Sequence, residues 1–125
     1  MRGKKLVDVY VEHKIGTTNN WDSEWEKRML EAVWKGLKVK EQLQESLSIK
    51  LEFFLTKNRY EAEGMYDLDN MVKAVIDNLN ANRGLKPRPS EFPIYDDSYI
   101  INIEATKMPT ESEEKTHIEI WEWNE

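Results

Sequence analysis

Acidic side chains and one lysine recur at short, regular intervals in the middle of the 125-residue chain. Asp67 and Asp69 lie two positions apart, and Lys73 and Asp77 follow Asp69 at intervals of four. Residues two apart share a face in an extended segment, so Asp67 and Asp69 converge if the helix starts at or after Asp69. From there Asp69, Lys73 and Asp77 form one stripe along the helix surface. The spacing therefore predicts a charged helix face that opens on paired carboxylates.

A second acidic pair, Asp96-Asp97, follows a long connection, and we expect this connection to return the pair toward the start of the helix. Carboxylates gathered within a few ångströms repel one another, so a cation is needed to stabilise the cluster. Mg²⁺ and Mn²⁺ prefer carboxylate oxygens and water. The lack of cysteine and the wide separation of His13 and His117 argue against zinc, and Met71 at a ligand position argues against a calcium loop. Such an ion beside a lysine suits phosphoryl chemistry.

The same residues allow simpler interpretations. Asp69 is a typical N-cap residue, and Lys73 can pair with Asp69 and Asp77 on a solvated helix face. An acidic pair before a strand is also common in turns. Spacing alone therefore leaves open both a metal site and an ordinary polar helix surface.

Composition and charge limit the class of protein. Hydrophobic residues make up 39% of the chain, which is enough for one folded domain spanning residues 1–125, and no apolar run is long enough to cross a membrane. The net charge is −6, and residues 61–125 hold 15 of the 24 acidic side chains. This balance argues against a general nucleic-acid coat protein. We expect a soluble, cytoplasmic protein, with Glu111, Glu113 and Glu114 in a polar loop.

Periodicity predicts the elements in the first half of the chain. Apolar and polar residues alternate over 6–13 and 49–56, as in β-strands. Between these strands, Ser23 and Glu26 form a capping-box pattern that opens a helix running into the forties. Its apolar face repeats every four residues, at Trp25, Met29, Val33 and Leu37. We expect residues 57–64 to form a loop.

The second half predicts one more helix and two more strands. Helical spacing covers residues 70–80, with Asp69 as N-cap, and residues 81–95 form a long irregular connection. Strands over 99–105 and 117–123 are predicted to pair as a hairpin. The order β-α-β-α-β-β indicates a single α+β domain, with two helices packed on a mixed sheet. Apolar residues on both faces of the last strand indicate a subunit interface.

Together these features resemble the RusA-type Holliday junction resolvases. The resemblance rests on Asp67-Leu68-Asp69-Asn70, Lys73, Asp77, Asp96-Asp97-Ser98 and Thr106-Lys107-Met108-Pro109, with weaker support from Thr18-Asn19-Asn20. Members of this family are small magnesium-dependent endodeoxyribonucleases of phage and prophage origin. The resemblance implies a homodimer that binds a four-way DNA junction and cuts two strands of like polarity symmetrically.

The resemblance also implies roles for individual residues. It assigns catalysis to Asp67, Asp69, Lys73 and Asp97. It assigns the metal ion, Mg²⁺ or in its place Mn²⁺, to Asp67, Asp69, Asp97 and Asp96. Asp77 and Asn70 would orient these ligands from outside the coordination shell.

The DNA-binding residues depart from the family pattern. Family members carry arginines just before the paired aspartates, whereas this chain has Glu61 and Glu63 there. We expect the DNA, in the cytoplasmic nucleoid, to be bound instead by Lys57, Arg59, Arg83, Lys86 and Arg88. Two other functions remain open: a non-catalytic dimeric relative that binds DNA or a protein, and a carboxylate-metal phosphatase acting on small phosphate esters.

Overall fold

Strands and helices alternate along the chain in a computed structural model, which describes residues 1–16, 22–63, 66–81 and 89–124. Within these ranges the strands are β1 (Arg2–Val11), β2 (Leu47–Leu55), β3 (Ile100–Pro109) and β4 (Lys115–Trp123). The α-helices are α1 (Ser23–Gly36), α2 (Lys57–Glu61) and α3 (Leu68–Leu79). Single-turn 3₁₀ helices cover Pro89–Glu91 and Asp97–Tyr99. No helix in these ranges has both the length and the hydrophobicity needed to cross a membrane.

The strands form a mixed sheet in the order β1-β4-β2-β3. β4 pairs antiparallel with β1 and β2, whereas β2 and β3 are parallel. Parallel neighbours require a crossover connection, and α3 lies within it. The predicted α+β class, with helices packed on a mixed sheet, is therefore confirmed.

The predicted hairpin of the last two strands is wrong. β3 and β4 follow each other in the chain, but β2 lies between them in the sheet. The Thr110 N–H donates to the Leu55 carbonyl at 2.8 Å, so the turn passes across the end of β2. Because β3 occupies one edge of β2, β4 pairs with the other edge and with β1. Ile118 and Ile120 are buried in the core from this position in the sheet, and the predicted subunit interface stays a prediction.

The start of α1 differs from the prediction by one residue. Asp22, not Ser23, is the N-cap, and its Oδ1 accepts hydrogen bonds from the amides of Glu24 at 3.0 Å and Trp25 at 3.1 Å. One carboxylate oxygen thus satisfies two of the amides that a helix start leaves without backbone partners.

The buried face of α1 is the predicted one, formed by Trp25, Met29 and Val33. The helix ends at Gly36, however, and does not continue into the forties. Leu37 has extended backbone angles of −71° and 122° and is buried, and the Lys38 amide donates to the Leu6 carbonyl at 3.3 Å. Leu37 therefore stays in the core, as its place in the four-residue repeat predicts, but from an extended segment after the helix.

α3 begins two residues earlier than predicted. Leu68 packs against the core on the helix face shared with Met71 and Leu79, so it extends the apolar stripe by almost a turn. The N-cap is therefore Asp67 and not Asp69. Asp67 has extended backbone angles of −66° and 146°, and its carbonyl accepts a hydrogen bond from the Met71 amide at 3.2 Å.

The core lies between the helices and one face of the sheet. Strand residues in this core include Val7, Ile49, Leu51, Ile118 and Ile120. Side chains alternate along strands, so the other face carries polar residues at the intervening positions. We call this surface the polar sheet face, and it includes Asp8, Lys50, Glu52, His117 and Glu119.

Candidate functional site

α3 carries most of the predicted catalytic residues. Asp69 and Lys73 are exposed, and Asp77 is half-buried. With a rise of 1.5 Å per residue, Asp69 and Asp77 lie about 12 Å apart along the helix axis, with Lys73 midway. Mg²⁺ binds oxygens at about 2.1 Å, so two ligands of one ion lie within about 4.2 Å of each other. One ion therefore cannot bind both ends of the stripe, and Asp69 and Asp77 must have different roles.

The start of α3 at Leu68 removes the expected reason for Asp67 and Asp69 to converge. Asp69 belongs to the helix, and helical residues two apart point about 200° away from each other. The Asp67 side chain makes no capping hydrogen bond, so the helix start does not use its carboxylate. Asn70, in the same turn, is half-buried. Shared metal binding by Asp67 and Asp69 stays a prediction.

Asp97 lies within electrostatic reach of Asp77. Asp96 caps the 3₁₀ turn Asp97–Tyr99, and its Oδ1 accepts a hydrogen bond from the Ser98 amide at 3.0 Å. Asp97 is exposed, and partial desolvation, a hydrogen bond with Asp96 and the negative charges of Asp96 and Asp77 raise the pKa of its carboxyl above its ordinary value. Asp97 is therefore influenced by a carboxyl group in its own turn and by one on α3.

The direction of α3 explains which carboxyl groups meet. Because β2 and β3 are parallel, the helix between them runs the opposite way, and the start of β3 lies near the end of α3. Ile94 fixes this approach: its amide donates to the Leu79 carbonyl at 3.1 Å, and its carbonyl accepts from the Ala81 amide at 2.8 Å. The acidic pair was expected near the start of the helix. The interaction in the structure is instead with Asp77, in the C-terminal half.

Two residues predicted to face solvent meet inside the protein. Arg59, a predicted DNA contact, lies on α2, where a loop was expected, and its Nη1 is 3.1 Å from Glu114 Oε1. Its Nη2 donates to the Ile15 carbonyl at 3.1 Å, and its guanidinium lies 3.9 Å from the centre of the Tyr66 ring. Glu114 is buried and accepts hydrogen bonds from the Thr56 amide and hydroxyl. The geometry thus gives Arg59 a structural role.

The other predicted DNA contacts have different positions. Lys57 is exposed at the first residue of α2. Arg83, Lys86 and Arg88 lie outside the described residues, and so do Thr18, Asn19 and Asn20, which gave weak support to the resemblance.

A group of ligating side chains that the sequence did not predict lies on the polar sheet face. His117 Nδ1 is 2.7 Å from Glu52 Oε1, and His117 Nε2 is 2.7 Å from Asp8 Oδ1. The His117 ring stacks on the Tyr10 ring, with 4.3 Å between centroids. Among the described residues, the group of three or more with metal-ligand spacing is Glu52, His117 and Glu119, whose ligand atoms lie within 4.8 Å of one another.

The carboxylates around His117 control its protonation. Burial lowers the pKa of His117, but hydrogen bonds to Glu52 and Asp8 and the charges of Asp8 and Glu119 outweigh burial and raise it. Hydrogen bonds to His117 and then to Lys5 lower the pKa of Asp8. Alternation along the strands predicts that these side chains face solvent. The sequence alone does not determine the strand register that brings residues of three strands together here.

No protein-family model matches the chain, and no curated protein matches it. The motif residues and the geometry described above therefore carry the functional conclusion.

Proposed function

We propose that this chain is a Mg²⁺-dependent, structure-selective endodeoxyribonuclease that resolves four-way DNA junctions by paired symmetric cuts. The observation that carries the proposal is the approach of the segment before Asp96 and Asp97 to the end of α3, which the hydrogen bonds of Ile94 with Leu79 and Ala81 fix. Residues 77 and 97 are 20 positions apart in the chain, and the charge of Asp77 contributes to the raised pKa of Asp97, which supports a shared acidic site. Carboxylates held together against their own repulsion favour a divalent cation.

The proposed donor set fits Mg²⁺. Asp67, Asp69, Asp97 and Asp96 offer only oxygen atoms, which are the hard ligands that Mg²⁺ prefers and Mn²⁺ accepts. Asp67 and Asp69 lie at the start of α3, whereas Asp96 and Asp97 approach Asp77 in its C-terminal half, so in this proposal the two pairs hold separate ions. When bound, the ion supplies an activated water molecule at neutral pH and neutralises charge on the phosphate.

Lys73 and Asp77 have supporting positions in this proposal. Lys73 lies about one helical turn from both Asp69 and Asp77, and its ammonium group stabilises the negative charge that develops on the leaving oxygen. Asp77 orients Asp97 and does not share an ion with Asp69, because the two lie about 12 Å apart along the helix. Asn70 has the corresponding orienting role at the start of α3.

Paired cuts call for two equivalent sites, which a homodimer provides. β3 offers a surface for this contact, because in the described part of the chain its outer edge has no partner strand. It also carries Ile101 and Ile103, which are 51% and 46% exposed. Large aliphatic side chains on an unpaired strand favour contact with a second chain.

DNA binding by a chain of net charge −6 requires local basic contacts. We assign the phosphate contacts to Lys57, Arg83, Lys86 and Arg88. Arg59 is left out of this set because Glu114 and the Ile15 carbonyl already engage its guanidinium. The substrate would be branched DNA in the cytoplasm.

Cleavage of a synthetic four-way junction tests the proposal. With Mg²⁺, the purified chain should cut two opposing strands at symmetric positions and leave linear duplex of the same sequence uncut. Asp97→Asn should retain junction binding and lose cleavage, whereas Glu113→Gln, at an exposed carboxylate in the turn before β4, should cut like the wild type.

Two results would contradict the proposal. Junction binding by the wild type without cleavage would instead indicate a non-catalytic relative. Hydrolysis of p-nitrophenyl phosphate without any preference for branched DNA would indicate a phosphatase.

A further inference from the structure

His117 lies at the centre of a polar cluster that joins three strands. It faces Glu52 on β2 through Nδ1 and Asp8 on β1 through Nε2, each at 2.7 Å. Glu119, two residues further along β4, points to the same face, and its side chain is only 9% exposed. None of these residues belongs to the proposed nuclease site, because α3 packs on the opposite face of the sheet.

The spacing of the ligand atoms is close to that around a bound metal ion. Transition-metal ions bind nitrogen and carboxylate oxygen at about 2.0 to 2.2 Å, so adjacent ligands lie about 3 to 3.5 Å apart. Nδ1 of His117 and Oε1 of Glu52 are already 2.7 Å apart, and Glu119 completes a group within 4.8 Å. A small outward movement of these side chains would admit an ion.

The hydrogen bond of Nε2, the second ring nitrogen of His117, also supports metal binding at Nδ1. Histidines that bind metals almost always donate their other ring N–H to a carboxylate or carbonyl, which fixes the tautomer and the ring orientation. Asp8 Oδ1 is positioned to accept that hydrogen bond from Nε2, and the ring stacks on Tyr10 at 4.3 Å. Nδ1 is thereby directed toward the two glutamates.

We propose that Glu52, His117 and Glu119 bind a divalent transition-metal ion, with Asp8 orienting the imidazole. One imidazole nitrogen with carboxylate oxygens suits borderline ions, and the general affinity order places Zn²⁺ above Mn²⁺. Mg²⁺ fits poorly, because it prefers oxygen ligands and retains its water. An ion at this position connects β2 and β4, while Asp8 extends the connection to β1.

Two lysines compete with the ion for the Glu119 carboxylate. Lys5 Nζ lies 3.3 Å from Glu119 Oε1, and Lys50 Nζ lies 4.0 Å from Glu119 Oε2. Both lysine side chains are one-third exposed, so they can turn toward solvent when Glu119 binds the ion. Binding also displaces the proton from Nδ1 of His117, since a ligating imidazole nitrogen carries none.

Calorimetric titration of the metal-free full chain with ZnCl₂, without DNA, tests this site. We expect one Zn²⁺ ion to bind at this site and Mn²⁺ to bind there more weakly, whereas Mg²⁺, which the proposed nuclease site binds, should bind equally to the wild type and to Glu52→Gln. Glu52→Gln should weaken Zn²⁺ binding about tenfold or more. Glu111→Gln is the control, because Glu111 is an exposed carboxylate in the turn before β4 and lies outside the ligand group, and it should leave binding unchanged.

NMR spectra of the wild-type chain give a second readout that needs no ligand variant. Zn²⁺ should shift the ring signals of His117 and leave those of His13 unchanged, and EDTA should reverse the shift. Lack of Zn²⁺ binding, equal weakening by both glutamine variants, or a shift confined to His13 would overturn the proposal. Asp97→Asn, which tests the nuclease proposal, should bind Zn²⁺ normally, so the two proposals fail separately.

Discussion

Arg59 and Glu114 form an ion pair across the base of α2, with 3.1 Å between Nη1 and Oε1. Their side chains are only 18% and 5% exposed. Glu114 also holds the Thr56 amide and hydroxyl, so this carboxylate connects the start of α2 to the segment before β4. The pair fixes the connection that leads from β2 toward the predicted catalytic residues.

Loss of the Glu114 charge should destabilise the fold strongly. Glu114→Gln leaves Arg59 without its buried counter-charge, which typically costs about 3 kcal/mol in the free energy of unfolding. Urea denaturation followed by circular dichroism measures this loss. Glu113→Gln, at the exposed neighbouring residue, should change stability by less than about 0.5 kcal/mol. Equal stability of the two variants would show that the ion pair contributes nothing.

Gly36 should be intolerant of even one added methyl group. A Cβ at this position would overlap Cγ1 of Val9, so α1 packs directly on β1 there. Overpacking of this kind costs about 1 to 3 kcal/mol and should outweigh the better helix propensity of alanine at a helix end. Gly36→Ala should therefore lower the urea midpoint. The same substitution in a Val9→Ala background should cost much less, and an equal cost in both backgrounds would contradict the close approach.

Protonation of His117 should make stability depend on pH in metal-free buffer. The folded-state pKa of His117 is raised, through Glu52, Asp8 and the charge of Glu119 acting against burial. The resulting stabilisation is complete below the unfolded value of about 6.5 and is lost as the pH rises through the folded pKa. Lys5 stays charged over this range, because its hydrogen bonds to Asp8 and Glu119 raise its pKa. Unfolding free energies between pH 5 and pH 9 should fall on the alkaline side, and His117→Gln should flatten that fall, whereas His13→Gln should not.

Two aspartates at helix starts should behave in opposite ways. Asp22 accepts two amide hydrogen bonds, so Asp22→Ala should cost about 1 kcal/mol of stability. Asp67 makes no capping hydrogen bond, so Asp67→Asn should leave stability within about 0.5 kcal/mol while abolishing junction cleavage. Thermal unfolding and the cleavage assay on both variants check this contrast. A stable Asp67→Asn variant that still cleaves would remove Asp67 from the proposed ligand set.

Local patterns predicted local structure well in this chain. The four-residue repeat of Trp25, Met29 and Val33 predicted the buried face of α1, because helical burial depends on residues close in sequence. The N-cap of α3 was misplaced because Asp67 and Asp69 are both good capping residues. Only the packing of Leu68 against the core decides between them.

The sequence alone could not predict the features that depend on strand register. A short polar turn between two strands predicts a hairpin, and nothing within the turn reveals that β2 lies between β3 and β4. For the same reason, the sequence could not predict that Asp8, Glu52 and His117, which lie on three strands, contact one another. The sequence also could not predict that Glu114 pairs with Arg59, because Arg59 lies 55 positions earlier in the chain. Each of these contacts follows from topology, which residue types alone do not determine.

The exposed edge of β3 provides the last prediction. Ile103 is 46% exposed on the outermost strand, so a charge there should be tolerated by the monomer but not in an apolar contact between two copies. Ile103→Lys should weaken dimerisation at least about tenfold, or 1.4 kcal/mol, as measured by analytical ultracentrifugation. Val39→Lys alters a comparably exposed apolar residue in the loop after α1 and should leave the dimer intact.

The products of junction cleavage test whether paired cuts require the dimer. If two equivalent sites act together on one junction, the wild type should release resolved duplexes, whereas the Ile103→Lys monomer should accumulate junctions with a single nick. This outcome requires both the edge of β3 and a working site on each chain. A wild-type chain that is monomeric and still makes paired cuts would show that symmetry of the substrate, and not of the protein, pairs the incisions.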